Sequence, residues 1–231
     1  MARQNWPEIL YEDKELIVIN KPAGLLSVAT DAQKTVTAWR QVTDYLQIRN
    51  KKARAYVVHR LDRDTSGVIL FAKNEKLKLA LQDKWNELVS CRGYLAVVSG
   101  KPPKQEDTVC TYLLENKAHI VYSAPKSKGG KQAVTRYKVL KSRKGFTLVD
   151  VQIETGRKNQ IRVHMADLGC PVVGDKKYGD GTDPLRRLGL HAGTLMLRHP
   201  MTGQELSFTA PEPKEFERLF PNQKTEEETS L

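Results

Sequence analysis

The stretch His59-Arg-Leu-Asp-Arg-Asp-Thr-Ser-Gly67 leads directly into the apolar run Val68-Ile-Leu-Phe-Ala72. A short apolar run next to turn-forming residues is typical of a buried strand. A polar loop that enters such a strand is a good carrier of functional groups, because the strand supports it rigidly. The sequence therefore predicts a central strand at this point and a candidate functional loop before it.

Strands and helices alternate irregularly on both sides of this loop. Apolar runs and alternating patterns predict further strands at residues 16–19, 94–98, 135–140, 146–153, 195–197 and 206–208. Helical spacing predicts helices over residues 35–48, 77–88 (with Asn74 as N-cap), 159–168 (ended by Gly169 in the left-handed conformation) and 212–220. This order predicts an α+β protein with a mixed, largely antiparallel central sheet and flanking helices. A Gly-rich turn between strand and helix is absent, which argues against a Rossmann or P-loop nucleotide fold.

The composition is that of a globular protein with a basic surface. The chain has 231 residues, 39% of them hydrophobic, and a formal net charge of +11. A basic surface favours a polyanionic partner such as a nucleic acid. We expect one domain over residues 1–221 and a disordered polar tail over residues 222–231. The sequence contains neither an apolar stretch of membrane-spanning length nor a secretory signal, so a cytoplasmic protein without a membrane partner is predicted.

The three cysteines predict neither a disulfide framework nor a zinc site. Their number is odd, and Cys91, Cys110 and Cys170 lack the spacing of metal ligands. We expect reduced, buried thiols.

Within the first loop, one carboxylate calls for a functional explanation. A turn made by residues 64–67 accounts for the end of the loop but leaves Asp62, which lies between Arg60 and Arg63, unexplained. A metal-binding pair of Asp62 and Asp64 is opposed by the neighbouring arginines. A nucleophile at Ser66 lacks the Gly-x-Ser-x-Gly elbow that such serines use.

A second polar segment, Ile153-Glu-Thr-Gly-Arg-Lys-Asn-Gln-Ile-Arg-Val-His164, runs from a predicted strand into a predicted helix. The crowding of Arg157, Lys158, Arg162 and His164 is consistent with a solvated basic face or with an anion site at the helix start. A third segment, Gly174-Asp-Lys-Lys-Tyr-Gly179, is typical of a surface loop.

Five segments of the sequence resemble the motifs of one protein family. The loop at residues 59–67 resembles the signature of the RluA-type RNA pseudouridine synthases. Four other segments resemble motifs of that family in the same order: Asn20-Lys-Pro-Ala-Gly-Leu-Leu-Ser27, Tyr94-Leu-Ala-Val-Val98, Thr155-Gly-Arg-Lys-Asn-Gln-Ile-Arg-Val-His164 with the glycines and proline that follow it, and Leu190-His-Ala192 with Arg198-His-Pro-Met-Thr-Gly203. The resemblance covers roughly residues 8–213.

The resemblance implies the pseudouridine synthase fold around a basic cleft and the isomerisation of uridine to pseudouridine in rRNA or tRNA, without a cofactor or a metal. It implies that Asp62 is the catalytic carboxylate, that Tyr94 packs against the uracil, and that Arg162 pairs with the aspartate. Residues expected to bind the RNA or to flip the base are Arg60, His59, Arg63, Lys21, Arg157 and Lys158, and those expected to line the substrate pocket are Leu61 and Ile161. For Lys21, support of the backbone or of the RNA is expected rather than catalysis. We expect a monomer. The alternative is an RNA-binding module that keeps the fold without the reaction.

The sequence departs from the family pattern in three places. Asn159 stands where the family usually has histidine, and an amide can form hydrogen bonds but cannot titrate. Arg92 replaces a lysine two residues before the tyrosine and keeps its charge. Because the first motif begins near residue 20, we expect this protein to lack the N-terminal S4-type domain of many relatives. We therefore expect the catalytic domain itself to select the target.

Overall fold

The computed structural model describes residues 6–30 and 36–221. The strands are β1 (Glu8–Glu12), β2 (Leu16–Lys21), β3 (Tyr56–Val57), β4 (Ser66–Ala72), β5 (Val89–Ser99), β6 (Glu106–Glu115), β7 (Val121–Ala124), β8 (Lys131–Arg143), β9 (Phe146–Ile153), β10 (Leu190–Arg198) and β11 (Glu205–Thr209). The helices are α1 (Ala38–Arg49), α2 (Glu75–Asp83), α3 (Trp85–Leu88), α4 (Gln160–Asp167) and α5 (Lys214–Leu219), with a 3₁₀ turn at Lys126–Lys128. The predicted tail lies outside the described residues.

All of these strands join one mixed sheet, which confirms the predicted α+β fold. The strand order is β1-β2-β4-β10-β5-β9-β8-β6-β7, with β3 paired to β4 and β11 paired to β10. Strands β4 and β10 run parallel, and every other pairing among the described strands is antiparallel. None of the described helices has the length and apolar content that crossing a membrane would require.

The parallel contact between β4 and β10 depends on a glycine. Gly67 pairs with Ala192, and Ala192 pairs in turn with Tyr94 on β5. The φ angle of Gly67 is +111°, and a Cβ at this position would lie 2.1 Å from the carbonyl oxygen of Ala192. Only glycine fits there, because it has no Cβ and tolerates a positive φ. In this register, Tyr94 on β5 lies two strands away from Gly67 on β4, the residue at the end of the first candidate loop.

The core explains why β2 and β4 are continuously apolar. Leu70 and the residues that alternate with it pack with α2, β10 and β11, whereas Ile69 and Phe71 pack on the opposite face with α1. Both faces of these strands are therefore buried, which favours uninterrupted apolar runs. A second part of the core packs Ile161 and Met165 of α4 against β5 and β9.

Four local predictions need correction. The helix predicted over residues 77–88 starts at its predicted cap, where Asn74 accepts from the Leu77 amide, but it breaks at Lys84. Strands β6 and β7 were not predicted, because most of their side chains are only partly buried or exposed and their sequences lack a clear apolar run. The turn expected at residues 64–67 lies at residues 62–65, with the amide of Thr65 donating to the Asp62 carbonyl. Finally, Cys110 is exposed, so not all of the thiols are buried.

Candidate active site

The loop that carries Asp62 is held on both sides by the first motif. Ser27 Oγ donates to the carbonyl of Leu61 (2.7 Å) and accepts from its amide (3.1 Å). On the other side, Lys21 Nζ donates to the carbonyl of Arg63 (2.9 Å). The backbone before and after Asp62 is therefore fixed by side chains from a segment about 40 positions earlier. The Asp62 side chain itself remains 33% exposed.

Of the two roles expected for Lys21, support of the backbone or of the RNA, the structure favours the backbone and contradicts a contact with RNA. Lys21 is completely buried, and its three ammonium hydrogens point to the carbonyls of Pro22, Leu25 and Arg63. Burial lowers the pKa of Lys21 to about 7, and the negative charge of Asp64 opposes that shift. Its role is to support the loop backbone from the inside.

Arg162 reaches Asp62 from the first turn of α4, but its main partner is a different carboxylate. Its Nη1 lies 3.6 Å from Asp62 Oδ2, whereas Nε and Nη2 each donate to Asp175 at 2.7 Å. The carboxylate of Asp175 is completely buried and also accepts the amides of Lys177 and Tyr178. The third segment, which the sequence predicts to be a plain surface loop, thus contributes Asp175, a site residue that was not predicted. A usable signal was its place in the late motif, directly after a glycine.

Charge and hydrogen bonding keep both members of this pair ionised. Burial opposes the charged form of Asp175, but the hydrogen bonds and the charge of Arg162 outweigh burial and lower the pKa of that carboxyl group. Burial likewise opposes the charge of Arg162, but Asp175 and Asp62 together raise the pKa of the guanidinium group.

Two more residues fix the guanidinium plane. Asn159 has a left-handed φ of +54°, and its Oδ1 accepts from Arg162 Nη1 at 3.0 Å. Its Nδ2 donates to the hydroxyl of Tyr178 (3.1 Å), whose ring centroid lies 5.2 Å from the guanidinium carbon. Asn159, at the position where the family usually has histidine, therefore bridges Arg162 and Tyr178 through hydrogen bonds. Tyr178 was not predicted as a site residue.

Tyr94 completes the site from β5. It is half-buried and lines the same pocket as Asp62. Burial raises the pKa of Tyr94 to about 12, the charge of Arg92 opposes this shift, and the charge of Asp62 adds to it. The phenol is therefore protonated at neutral pH and presents an aromatic surface and a hydroxyl group.

The site has two adjoining spaces. A deep pocket of about 90 Å³ is lined by Asp62, Tyr94 and Arg162, and Leu61 and Ile161 lie in its wall as predicted. A groove of about 720 Å³ continues outward from Asp62. The cationic side chains along this groove are Arg60, Arg63, Arg92, Arg157 and Lys158.

The two histidines of the candidate segments are uncharged. His59 lines the groove, its Nε2 accepts the Leu70 amide at 3.0 Å, and burial lowers its pKa to about 4. His164 lies away from the site, buried between the hydroxyls of Thr111 and Thr135, and burial lowers its pKa to about 4 as well. The predicted crowding therefore holds for Arg157, Lys158 and Arg162 but not for His164.

The alternative chemistries have weak support. Within residues 6–30 and 36–221, no three His, Cys, Asp or Glu side chains are grouped as metal ligands would be, so the pair of Asp62 and Asp64 lacks a third partner. Ser66 is buried, accepts from Arg187 Nη2 (2.6 Å) and lies 2.8 Å from His191 Nδ1. Its hydroxyl therefore belongs to the β4–β10 contact rather than to the groove.

Comparison with known proteins identifies the family. The sequence model of the family described as RNA pseudouridylate synthase matches residues 15–167. The chain belongs to this family. It is 36% identical over 214 residues to the "Uncharacterized RNA pseudouridine synthase YhcT" of Bacillus subtilis (strain 168), covering 92% of this chain and 70% of that protein. It is 38% identical over 220 residues to the "Ribosomal large subunit pseudouridine synthase C" of Rickettsia bellii (strain RML369-C), covering 91% and 70% respectively.

Solved structures agree with this assignment. The pseudouridine synthase chain resembles "Human RNA Pseudouridylate Synthase Domain Containing 4" with a TM-score of 0.76, at 27% identity and over 92% of both chains. "Human RNA Pseudouridylate Synthase Domain Containing 1" follows with a TM-score of 0.71, 26% identity and coverage of 92% and 86%. The fold and the enzyme class expected from the sequence motifs are therefore confirmed.

Proposed function

We propose that this pseudouridine synthase isomerises a uridine in structured RNA with Asp62 as its catalytic carboxylate. The observation that carries the proposal is the meeting of three groups from distant segments in one deep pocket: Asp62, the ring of Tyr94 and the guanidinium of Arg162. An RNA-binding module that had lost the reaction would not require these three groups to lie in one pocket.

The chemistry of the isomerisation accounts for these residue types. The N1–C1′ bond of uridine breaks, the detached uracil turns, a C5–C1′ bond forms, and the proton at C5 is lost while N1 gains one. The atoms of substrate and product are the same, so the reaction requires no external group or electron donor, and we propose that it proceeds without a cofactor. An ionised carboxylate can attack the substrate or remove a proton, and either role requires the position of Asp62.

The neighbours of Asp62 have separate tasks in this proposal. Arg162 stabilises the negative charge of the carboxylate across 3.6 Å, a separation longer than a direct hydrogen bond, while its bidentate contact with Asp175 holds the guanidinium in place. The ring of Tyr94 supports the detached uracil. Arg60 fills the space that the uridine leaves in the RNA. The uridine must first leave its stack, which costs a few kcal/mol.

The groove supports RNA as the substrate. It places five cationic side chains around a single carboxylate, Asp62, and phosphate contacts from Arg60, Arg63, Arg157 and their neighbours would offset the cost of flipping the base. Because relatives of this chain are named as ribosomal large subunit pseudouridine synthases, we propose large-subunit rRNA as the first substrate to test, with tRNA second. We further propose that the enzyme works as a monomer in the cytoplasm.

Two measurements test the proposal. Mapping of pseudouridines in total RNA from cells with and without the gene should reveal a site that disappears with the gene. With RNA tritiated at uridine C5, Asp62→Asn should release no tritium above background and still bind the RNA. Tritium release by the variant at the wild-type rate would refute the role of Asp62. RNA binding by the wild type without any release would support the inactive module.

A further inference from the structure

The break between α2 and α3 turns an aromatic side chain toward the groove. Lys84 leaves the helical conformation (φ −113°, ψ 24°), and α3 starts again at Trp85. Trp85 is half-buried, and its ring centroid lies 5.0 Å from that of His59 at an angle of 31°. Sequence periodicity placed Trp85 on the buried helix face; the structure packs it against the core and also places it in the wall of the groove that contains Asp62.

The groove is much larger than the pocket for one uracil. Its volume of about 720 Å³ compares with about 90 Å³ for the deep pocket beside Asp62. Further nucleotides of the same RNA can therefore occupy it. The side chains that line its cationic part, including Arg60 and Arg92, are suited to the phosphates of those nucleotides.

The wall formed by Trp85 also carries two exposed amides. Gln82 Nε2 donates to the carbonyl of Val57 at 3.1 Å, which leaves its Oε1 free to accept. No side-chain hydrogen bond joins Asn86 to another residue of the described part of the chain, so its amide group can both donate and accept. Unpaired RNA bases are recognised by aromatic surfaces for stacking and by amides for their edges.

We propose that Trp85, Gln82 and Asn86 form a second base-binding subsite, which takes an unpaired base next to the target uridine. This inference rests on the proposed function, because both bases belong to the same RNA. The ring of Trp85 stacks on the base, and the two amides bind its edge. The enzyme then selects its target partly through a neighbour that it does not modify.

Tryptophan fluorescence gives a direct test of the stacking. The chain has three tryptophans, Trp6, Trp39 and Trp85. The probe is the rRNA hairpin that contains the mapped target, titrated into wild type, Trp85→Phe and Trp39→Phe. Trp39 is a matched control because its Nε1 is engaged by the Ala55 carbonyl and it does not line the groove. RNA should quench the emission of wild type and Trp39→Phe, and Trp85→Phe should lose most of this quenching.

Binding by altered RNAs gives the second test. Abasic nucleotides placed one at a time beside the target should weaken binding to wild type at one position, by about 5- to 150-fold, which is the range for loss of one stacked base. Trp85→Ala should bind both RNAs with the same weakened affinity. Because Trp85 also packs against the core, Asn86→Ala serves as an exposed second variant that should raise KM and leave kcat unchanged.

The outcomes separate this inference from the proposed function. If no RNA loses a pseudouridine with the gene, both fall. If the enzyme is active but the abasic series is flat and Trp85→Phe is quenched like the wild type, the subsite is refuted and the proposed function stands. A lowered unfolding midpoint of Trp85→Ala with unchanged affinity would also refute it, because Trp85 would then serve packing alone.

Discussion

The buried ion pair of Arg162 and Asp175 should be required for both stability and turnover. Asp175→Asn keeps the shape of the side chain but removes its charge, and it turns an amide group toward the Arg162 donors. Removal of one partner from a buried pair typically costs about 3–5 kcal/mol. The Arg162 side chain keeps 12% exposure and has Asp62 3.6 Å away, so part of the loss is compensated. We therefore expect a loss near the lower end, about 3 kcal/mol.

Activity should fall for a related reason. Without Asp175, the guanidinium can move to hydrogen-bond distance of Asp62 and occupy the carboxylate that the reaction needs. We expect turnover to fall about tenfold, equivalent to about 1.4 kcal/mol in the barrier, with little change in RNA affinity. Urea unfolding and single-turnover tritium release measure the two effects. Asp180→Asn is the matched control, because Asp180 lies in the same loop and bonds Thr182 rather than Arg162.

A double-mutant cycle decides whether Asp175 acts through the guanidinium. In an Arg162→Met background, Asp175→Asn should cause little further loss of turnover and should cost less stability, since no cation remains to be paired. Equal losses in the two backgrounds would refute the reasoning. The reduced pKa of Asp175 means that its contribution to stability is present above the usual carboxyl pKa and fades below it, so the cost of the variant should shrink in strong acid.

Three further predictions concern the fold, the pH response and the cofactor. Gly67→Ala should lower the free energy of unfolding in urea by about 3 kcal/mol or more, because its Cβ would clash with Ala192. The control Gly145→Ala also has a positive φ but open space around it, and should cost only about 1 kcal/mol. Equal costs would contradict the steric argument. Burial lowers the pKa values of His59, His164 and His191 to about 4, so the unfolding free energy should fall between pH 6.5 and 4 by up to about 4 kcal/mol per pH unit, and His164→Gln should flatten this slope. Pseudouridine formation should survive excess chelator, and its loss and recovery with added metal would contradict the cofactor-free proposal.

The sequence predicted the centre of the fold better than its edge. The apolar run of β4 is recognisable because both of its faces are buried, and the cap at Asn74 follows from local hydrogen bonding. Strands β6 and β7, at one end of the sheet, are half-exposed, so their pairing depends on neighbours that no local pattern encodes. The break at Lys84 could not be predicted either, because the helical spacing of apolar residues continues through this position.

The candidate site was predictable where its residues belong to a dense motif. Asp62 was unexplained by any structural role, and the family resemblance supplied Tyr94 and Arg162. Asp175 escaped because a glycine-bounded loop with lysines usually faces solvent, and only the tertiary fold shows that Arg162 reaches it. For Lys21 the sequence left support of the backbone and of the RNA open, because a lysine is rarely buried, and only the fold shows the three backbone acceptors that decide between them.

The parallel pairing of β4 and β10 also has a consequence for biosynthesis. It brings together Ser66 and His191, which are 125 positions apart. During translation, β4 lacks its β10 neighbour until the 125 positions between Ser66 and His191 have been added, and the Asp62 loop emerges long before Arg162 can face it. A prematurely terminated chain would therefore present an open strand edge, a target for chaperones and proteases, and would lack an assembled centre with which to modify RNA.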